Sequence, residues 1–207
     1  MTLKLVSLFP GHLDLNGDQS NLKVLAKRLA WRGVSAEIVG ISKGDVVPAD
    51  AALIFLGHGS IAAWADVEEY LQQLVPEIKK SISAGVAFMA VATGQERAIG
   101  LGILGGSAKP STRISKFEIA EVDGREVLGY LNSATNAPVI QKHGLVLGTQ
   151  LHGPLFAKNP EFADSFLSEI AGARGVAFSG GSASTNASLV AGIVKQVWEL
   201  ERELASE

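Results

Sequence analysis

Residues Ala87 to Gly94, AFMAVATG, join an apolar run to a small-residue turn, and Gln95 to Ile99 continue as a helix-like stretch. In an α/β sheet this order projects one side chain from the carboxyl end of a strand, the usual station of a nucleophile. The pattern small-x-nucleophile-x-Gly fits Ala90, Val91, Ala92, Thr93 and Gly94, because small neighbours let the chain turn sharply from strand into helix. Ala92 falls at the elbow, with Thr93 as the alternative one residue on. Alanine has no lone pair to attack with, and the sequence contains no cysteine. The turn used in covalent catalysis is present without its attacking atom. A hydroxyl such as that of Thr93 would need a well-aligned base to serve instead.

Bases are few. His152, in Leu151-His152-Gly153-Pro154, stands at a strand end and is either a functional imidazole or a hydrogen-bonded structural one. His58 lies between Gly57 and Gly59, where backbone N–H groups could hold an anion or simply form a tight turn. His12 and His143 fall in turns and read as solvated, and four scattered histidines give no metal-ligand spacing, so neither a metal nor a cofactor is expected. The Gly-rich stretch Gly100 to Ser107 lacks the Lys-Ser/Thr ending of a phosphate loop and precedes hairpins rather than a helix.

The elements around these residues alternate. Leu3–Phe9, Ala36–Val39, Ala51–Leu56 and Val86–Val91 read as strands. Between them lie helical patterns carrying Leu22, Leu25 and Leu29, with Ser20 as a candidate cap and Gly33 as the stop, and Trp64–Ile82, which Pro76 should bend or restart. Strands alternating with helices predict a mixed, mostly parallel sheet flanked by helices, with ligands beyond the carboxyl ends of the strands. The second half is richer in hairpins. Lys116–Val122 and Glu126–Leu131 meet at Asp123-Gly124, and Val139–Lys142 and Leu145–Gln150 meet at Gly144. Asn159-Pro160-Glu161 reads as a cap and helix start, Ser179–Ser188 as a small-residue linker, and Leu189–Leu204 as a final helix packing on the sheet.

At 207 residues with 47% hydrophobic content and mean hydropathy +0.24, one domain spanning 1–207 is expected. A net charge of -3, with neither sign collected in a block, gives no reason to expect nucleic acid or an anionic membrane as a partner. No apolar run reaches a bilayer's length and the start lacks a signal-peptide layout, so a cytoplasmic protein without membrane insertion is expected.

The block Gly148-Thr149-Gln150-Leu151-His152-Gly153-Pro154-Leu155, continuing to Lys158-Asn159-Pro160 and Asp164, resembles the class I glutamine amidotransferase domains of the cobyric acid synthase type (CobB/CobQ). Phe9-Pro10, Leu13 to Asp18, Asn21-Leu22 and Ala30 to Gly33 add a resemblance to the GatD subunits of lipid II isoglutaminyl synthases. Together these stretches cover most of residues 1–170. The resemblance implies a flavodoxin-like fold and glutamine as the ligand. It also implies an ATP-dependent, Mur-ligase-like synthetase as partner, in a cell-wall setting where peptidoglycan is amidated. By position, His152 corresponds to the family's general base, Gly57-His58-Gly59 to its oxyanion loop and Ala92 to its cysteine. Counted back from Gly100, the cysteine position would be Thr93. Gly94 would close the elbow, and Arg113 could meet a substrate carboxylate. The chain departs from the family at Gln95-Glu96-Arg97, at Ser60-Ile61-Ala62 and in lacking the cysteine. Three readings remain open. The first is a non-catalytic subunit, a pseudoenzyme that binds or regulates its synthetase. The second is a glutaminase subunit whose native cysteine was replaced. The third is a hydrolase using Thr93 and His152. The family geometry places His152 and the 92–94 turn facing one another in a cleft, with exposed apolar surface nearby.

Overall fold

The computed structural model describes residues 2–178 and 185–205. Its larger sheet has six strands in the order β2-β1-β3-β4-β8-β7. These are β1 (Thr2–Leu8), β2 (Ser35–Ile41), β3 (Ala51–Leu56), β4 (Ala87–Val91), β7 (Ile140–His143) and β8 (Val146–Thr149). All neighbours are parallel except β7, which runs antiparallel to β8 through the turn at Gly144, whose φ is +56°. The expected mixed, mostly parallel sheet is observed. β3 and β4 are buried along their whole length, as strands covered on both faces must be.

Alternation along those strands divides the core. Leu53, Phe55, Ala87, Met89 and Val91 face the side covered by α1 (Ser20–Ala30) and α5 (Pro160–Ala173). Ile54, Leu56, Phe88 and Ala90 face α2 (Ile61–Ser83) and α3 (Thr93–Gly100). Leu22, Leu25 and Leu29 supply the buried stripe of α1, and Trp64, Val67, Leu71, Leu74 and Ile78 that of α2. A second, antiparallel sheet is built from β5 (Pro110–Val122), β6 (Arg125–Thr135) and β9 (Leu151–His152), in the order β5-β6-β9. Asp123 and Gly124 turn its hairpin with φ values of 51° and 70°.

Several local expectations change. Ser20 is the first residue of α1 rather than its cap, and Asp14 Oδ1 accepts the Gln19 N–H just ahead of the helix at 2.9 Å. Pro76 lies inside a continuous α2, exposed on the side away from the core. Asn159 precedes α5 without capping it. Its amide spans the β6 backbone instead, accepting from Leu128 N at 2.9 Å and donating to Leu128 O at 2.8 Å. The last helix, α6 (Thr185–Ala205), packs on β5, β6 and the short α4 (Leu155–Lys158), not on the six-stranded sheet. Of the linker read at 179–188, residues 179–184 lie outside the described ones and the remainder is helical.

Candidate functional site

The carboxyl ends of β1, β3, β4 and β8 gather every sequence-predicted site residue except Arg113, which stands on β5. At the β4 end, Ala92 adopts φ 51° and ψ -120°, and α3 begins at Thr93. A positive φ costs a residue with a Cβ of order 1–3 kcal/mol and persists only where the surroundings enforce it. Here they do. The Ala92 N–H donates to Thr149 O at 2.7 Å and the Ala92 carbonyl accepts from Gln150 Nε2 at 3.0 Å. Gly94 lets α3 start so close to the neighbouring strand, since a Cβ there would lie 2.5 Å from both Leu56 O and Gly57 O. The strained residue of the elbow is therefore Ala92, and Thr93 is the first residue of the helix.

Thr93 is fastened to the Gly57-His58-Gly59 loop. Its hydroxyl oxygen accepts from Trp64 Nε1 at 2.7 Å and from Gly59 N at 3.2 Å, while His58 Nδ1 at 2.8 Å and Gly59 O at 3.3 Å stand as acceptors for its proton. The Thr93 N–H itself points at His58 Nδ1, 3.4 Å away. The His58 N–H donates to Asp18 Oδ2 at 3.3 Å. The backbone N–H groups of Thr93, Gly59 and His58 thus each have an acceptor within the protein.

His152 links to this loop through His58, the two rings meeting edge-on at 5.0 Å. Its nitrogens are engaged elsewhere. Nε2 lies 3.0 Å from the Asn132 carbonyl, which can only accept, so the proton sits on Nε2; Nδ1 then accepts from Asn16 Nδ2 at 2.6 Å. Burial lowers the pKa of both imidazoles. His58 falls to about 4, with the His152 charge as a second cause. Arg113 adds to the depression of His152 and donates to Asn132 Oδ1 at 2.6 Å, so it sits one residue away from the imidazole rather than facing the elbow.

No family model matches the chain. The lipid II isoglutaminyl synthase (glutamine-hydrolyzing) subunit GatD of Staphylococcus aureus is 23% identical over 202 residues, covering 80% of this chain and 83% of that protein. Among solved structures, a glutamine amidotransferase aligns with TM-score 0.53 and 20% identity over 81% of this chain and 99% of its own. PurLQS from Thermotoga maritima aligns with TM-score 0.52 and 16% identity over 84% of this chain and 97% of its own. The fold is that of the class I glutamine amidotransferases.

Within this glutamine amidotransferase-like fold, several side chains at the site carried no assigned role in the sequence. Asn16 and Asp18 come from the loop after β1. Asp18 is fully buried with Oδ1 unpartnered, and burial raises its pKa to about 6 against the opposing pull of the His58 and Gly153 N–H groups. Their signal was the polar run Asp14 to Asp18 directly beyond an apolar strand. Beneath the elbow, Gln150 Nε2 also donates to Gln95 Oε1 at 2.7 Å, and Gln95 Nε2 to Pro138 O at 3.0 Å. Gln95 lies in one of the stretches that depart from the family pattern, Gln150 in the block that follows it, and nothing in local periodicity announces their pairing. His12, read as solvated, pairs with Asp66 at 2.7 Å. Among the described residues, no cluster of three or more His, Asp or Glu could hold a metal ion, and no helix is long and apolar enough to cross a membrane.

Proposed function

We propose that this chain is a non-catalytic glutamine amidotransferase-like subunit that binds and shapes an ATP-dependent, Mur-ligase-like synthetase. The observation that carries the reading is the elbow, where Ala92 holds the strained nucleophile conformation with no atom to attack. The surrounding bonds support it. A thioester mechanism needs free N–H groups for the developing oxyanion and a base with a lone pair toward the nucleophile. Here the N–H groups of Thr93, Gly59 and His58 bond to His58 Nδ1, Thr93 Oγ1 and Asp18, while both His152 nitrogens bond away from the elbow. A Thr93 hydrolase gains little support, since that hydroxyl accepts two hydrogen bonds and its nearest imidazole is a weak base with a pKa of about 4.

The partner half of the proposal rests on surface and on similarity. The relative's name describes a subunit of a glutamine-hydrolysing synthase. Around the elbow the chain exposes apolar side chains that water does not favour. Leu15, whose N–H bonds His58 O, and Ile61, three residues beyond His58, are both exposed, Ile61 by 91%. Tyr130, paired with His152 across β6 and β9, adds a partly exposed aromatic ring on the second sheet. Exposed apolar side chains on the loops around a site suit a docking face.

Glutamine hydrolysis assays with the purified chain test the catalytic half. The unmodified protein is expected to show no glutaminase activity above background, and so is Ala92→Cys, because the oxyanion donors remain occupied. Ala92→Cys combined with His58→Gly removes the acceptor from Thr93 N but leaves both His152 nitrogens engaged, and is expected to stay at background as well. Restoration by Ala92→Cys alone would instead favour a glutaminase whose native cysteine was replaced. Robust hydrolysis by the unmodified protein, lost in Thr93→Ala, would overturn the non-catalytic reading.

A further inference from the structure

Strand β5 is an outer strand of the second sheet. In the order β5-β6-β9 it pairs with β6 on one side, and among the described residues no strand pairs with it on the other. Its two halves differ. From Phe117 onward other elements hold it: Lys158 Nζ lies 5.4 Å from the centre of the Phe117 ring, Val122 is buried, and Lys142 of β7 pairs with Asp123 at the hairpin tip at 2.7 Å. From Pro110 to Lys116 every residue is exposed, Ile114 by 47%. Alternate residues of an edge strand turn both N–H and C=O away from their partner strand, so about three residues of Ser111–Lys116 offer these groups to solvent. Such a row is a template for one more strand.

Charge decides which strand fits. The stretch from Ser107 to Lys116, SAKPSTRISK, contains Lys109, Arg113 and Lys116 and no acidic residue. Lys116 pairs with Glu118 at 2.7 Å. Arg113 donates to the neutral Asn132 Oδ1 at 2.6 Å, and among the described residues neither it nor Lys109 has a carboxylate within ion-pair distance. Pairing β5 with β5 of a second copy would set these cations against their own like, which destabilises paired strands. From the open edge and its charge we infer that β5 binds an acidic, extended segment of a partner protein, laid beside Ser111–Lys116 as a fourth strand of the second sheet. The segment's backbone completes the row of hydrogen bonds, its carboxylates meet Lys109 and Arg113, and an apolar side chain covers Ile114. The edge adjoins the elbow through Asn132, whose side chain holds Arg113 and whose carbonyl accepts from His152 Nε2 at 3.0 Å. A single added strand buries far less than a standard interface of about 1,600 Å², so a dissociation constant on the order of 100 μM is expected for a short peptide.

The probe is a fluorescein-labelled octapeptide of alternating Asp and Val, titrated with the full chain and followed by fluorescence polarisation. Binding is expected at low salt, weakening as added salt screens the exposed charges, and at least about tenfold weaker in Lys109→Glu with Arg113→Glu. An octapeptide of alternating Lys and Val is expected not to bind. That comparison uses the unmodified chain, so it stands however the double variant folds. Hydrogen exchange separates strand addition from a loose contact between charges, since alternate amides within 111–116 should slow when the acidic peptide binds. The same peptide N-methylated at every residue should neither bind nor protect them. Absence of binding at millimolar peptide, equal binding of the two peptides, or binding without protection of these amides overturns the proposal. Protection of the same amides in the chain alone, rising with its concentration, would assign the edge to a second copy and overturns it too. The proposal does not rest on the synthetase reading, which is tested at Leu15 and Ile61, away from β5.

Discussion

Burial of Asp18 between the Gly57-His58-Gly59 loop and Gly153 makes its charge a liability to the folded state. Desolvation raises its pKa from the ordinary 3.8 to about 6. The folded protein therefore holds a proton that the unfolded chain releases across that interval, and stability contributed by this group is present at low pH and lost as pH rises toward and through about 6. His58 acts oppositely, its pKa lowered from 6.5 to about 4, so its contribution is present above the unfolded value and lost on acidification. The two slopes offset each other in the parent protein and separate in variants. Asp18→Asn is expected to gain stability relative to the parent as pH increases from 4 to 8, by up to about 3 kcal/mol, the cost of holding this carboxylate charged in its buried position. Denaturant melts of both proteins at several pH values measure this, and a difference that stays constant with pH would refute the buried charge. The elbow holds strain of a different kind. Ala92 keeps a positive φ because Thr149, Gln150 and Gly94 fix the backbone on three sides.

At the level of elements, α2 shows how tertiary packing overrides a local rule. Pro76 has no N–H to give and its ring crowds the carbonyl four residues back, a cost of about 3 kcal/mol in a helix interior. The sequence therefore predicts a bend or a restart, yet one helix runs from Ile61 to Ser83. Leu71 and Leu74 before the proline and Ile78 after it are all buried on the same sheet face, which holds both halves in line. Pro76→Ala should restore a helical hydrogen bond at an exposed position and raise stability by roughly 1–3 kcal/mol, readable as a higher melting temperature. Elsewhere the elements were legible where a pattern was strong, as in the Leu22, Leu25, Leu29 stripe and the unbroken apolar runs of β3 and β4. They were less so where a side chain found a distant partner. Asn159 reads as a helix cap from its neighbours alone, and only the position of Leu128, 31 residues away, reveals that its amide bridges β6 instead.

Across the molecule, the elbow could be read from AFMAVATG because strand, turn and helix adjoin in sequence. The hydrogen bonds tying Thr93 to the Gly57-His58-Gly59 loop could not, because His58 and Thr93 meet only when the ends of two strands are brought together, 35 residues apart. The same gathering of strand ends places Leu15, Ile61 and Tyr130 around the site, on three separate segments. If that rim docks a synthetase, its exposed aliphatic groups supply much of the affinity, since fully burying a Leu or Ile side chain is worth about 1.5–3 kcal/mol. Replacing Ile61 by Asp would also leave a carboxylate in the contact. Leu15→Asp and Ile61→Asp are each expected to weaken binding of a Mur-ligase-like synthetase partner by tenfold or more, with the melting temperature of the free subunit nearly unchanged. Calorimetric titration of the purified synthetase into each variant gives the comparison, with Ile193→Glu on α6 as a control that should bind normally. Parent-like affinity in both rim variants would move the docking face away from the elbow and leave the retained amidotransferase geometry without a partner to serve.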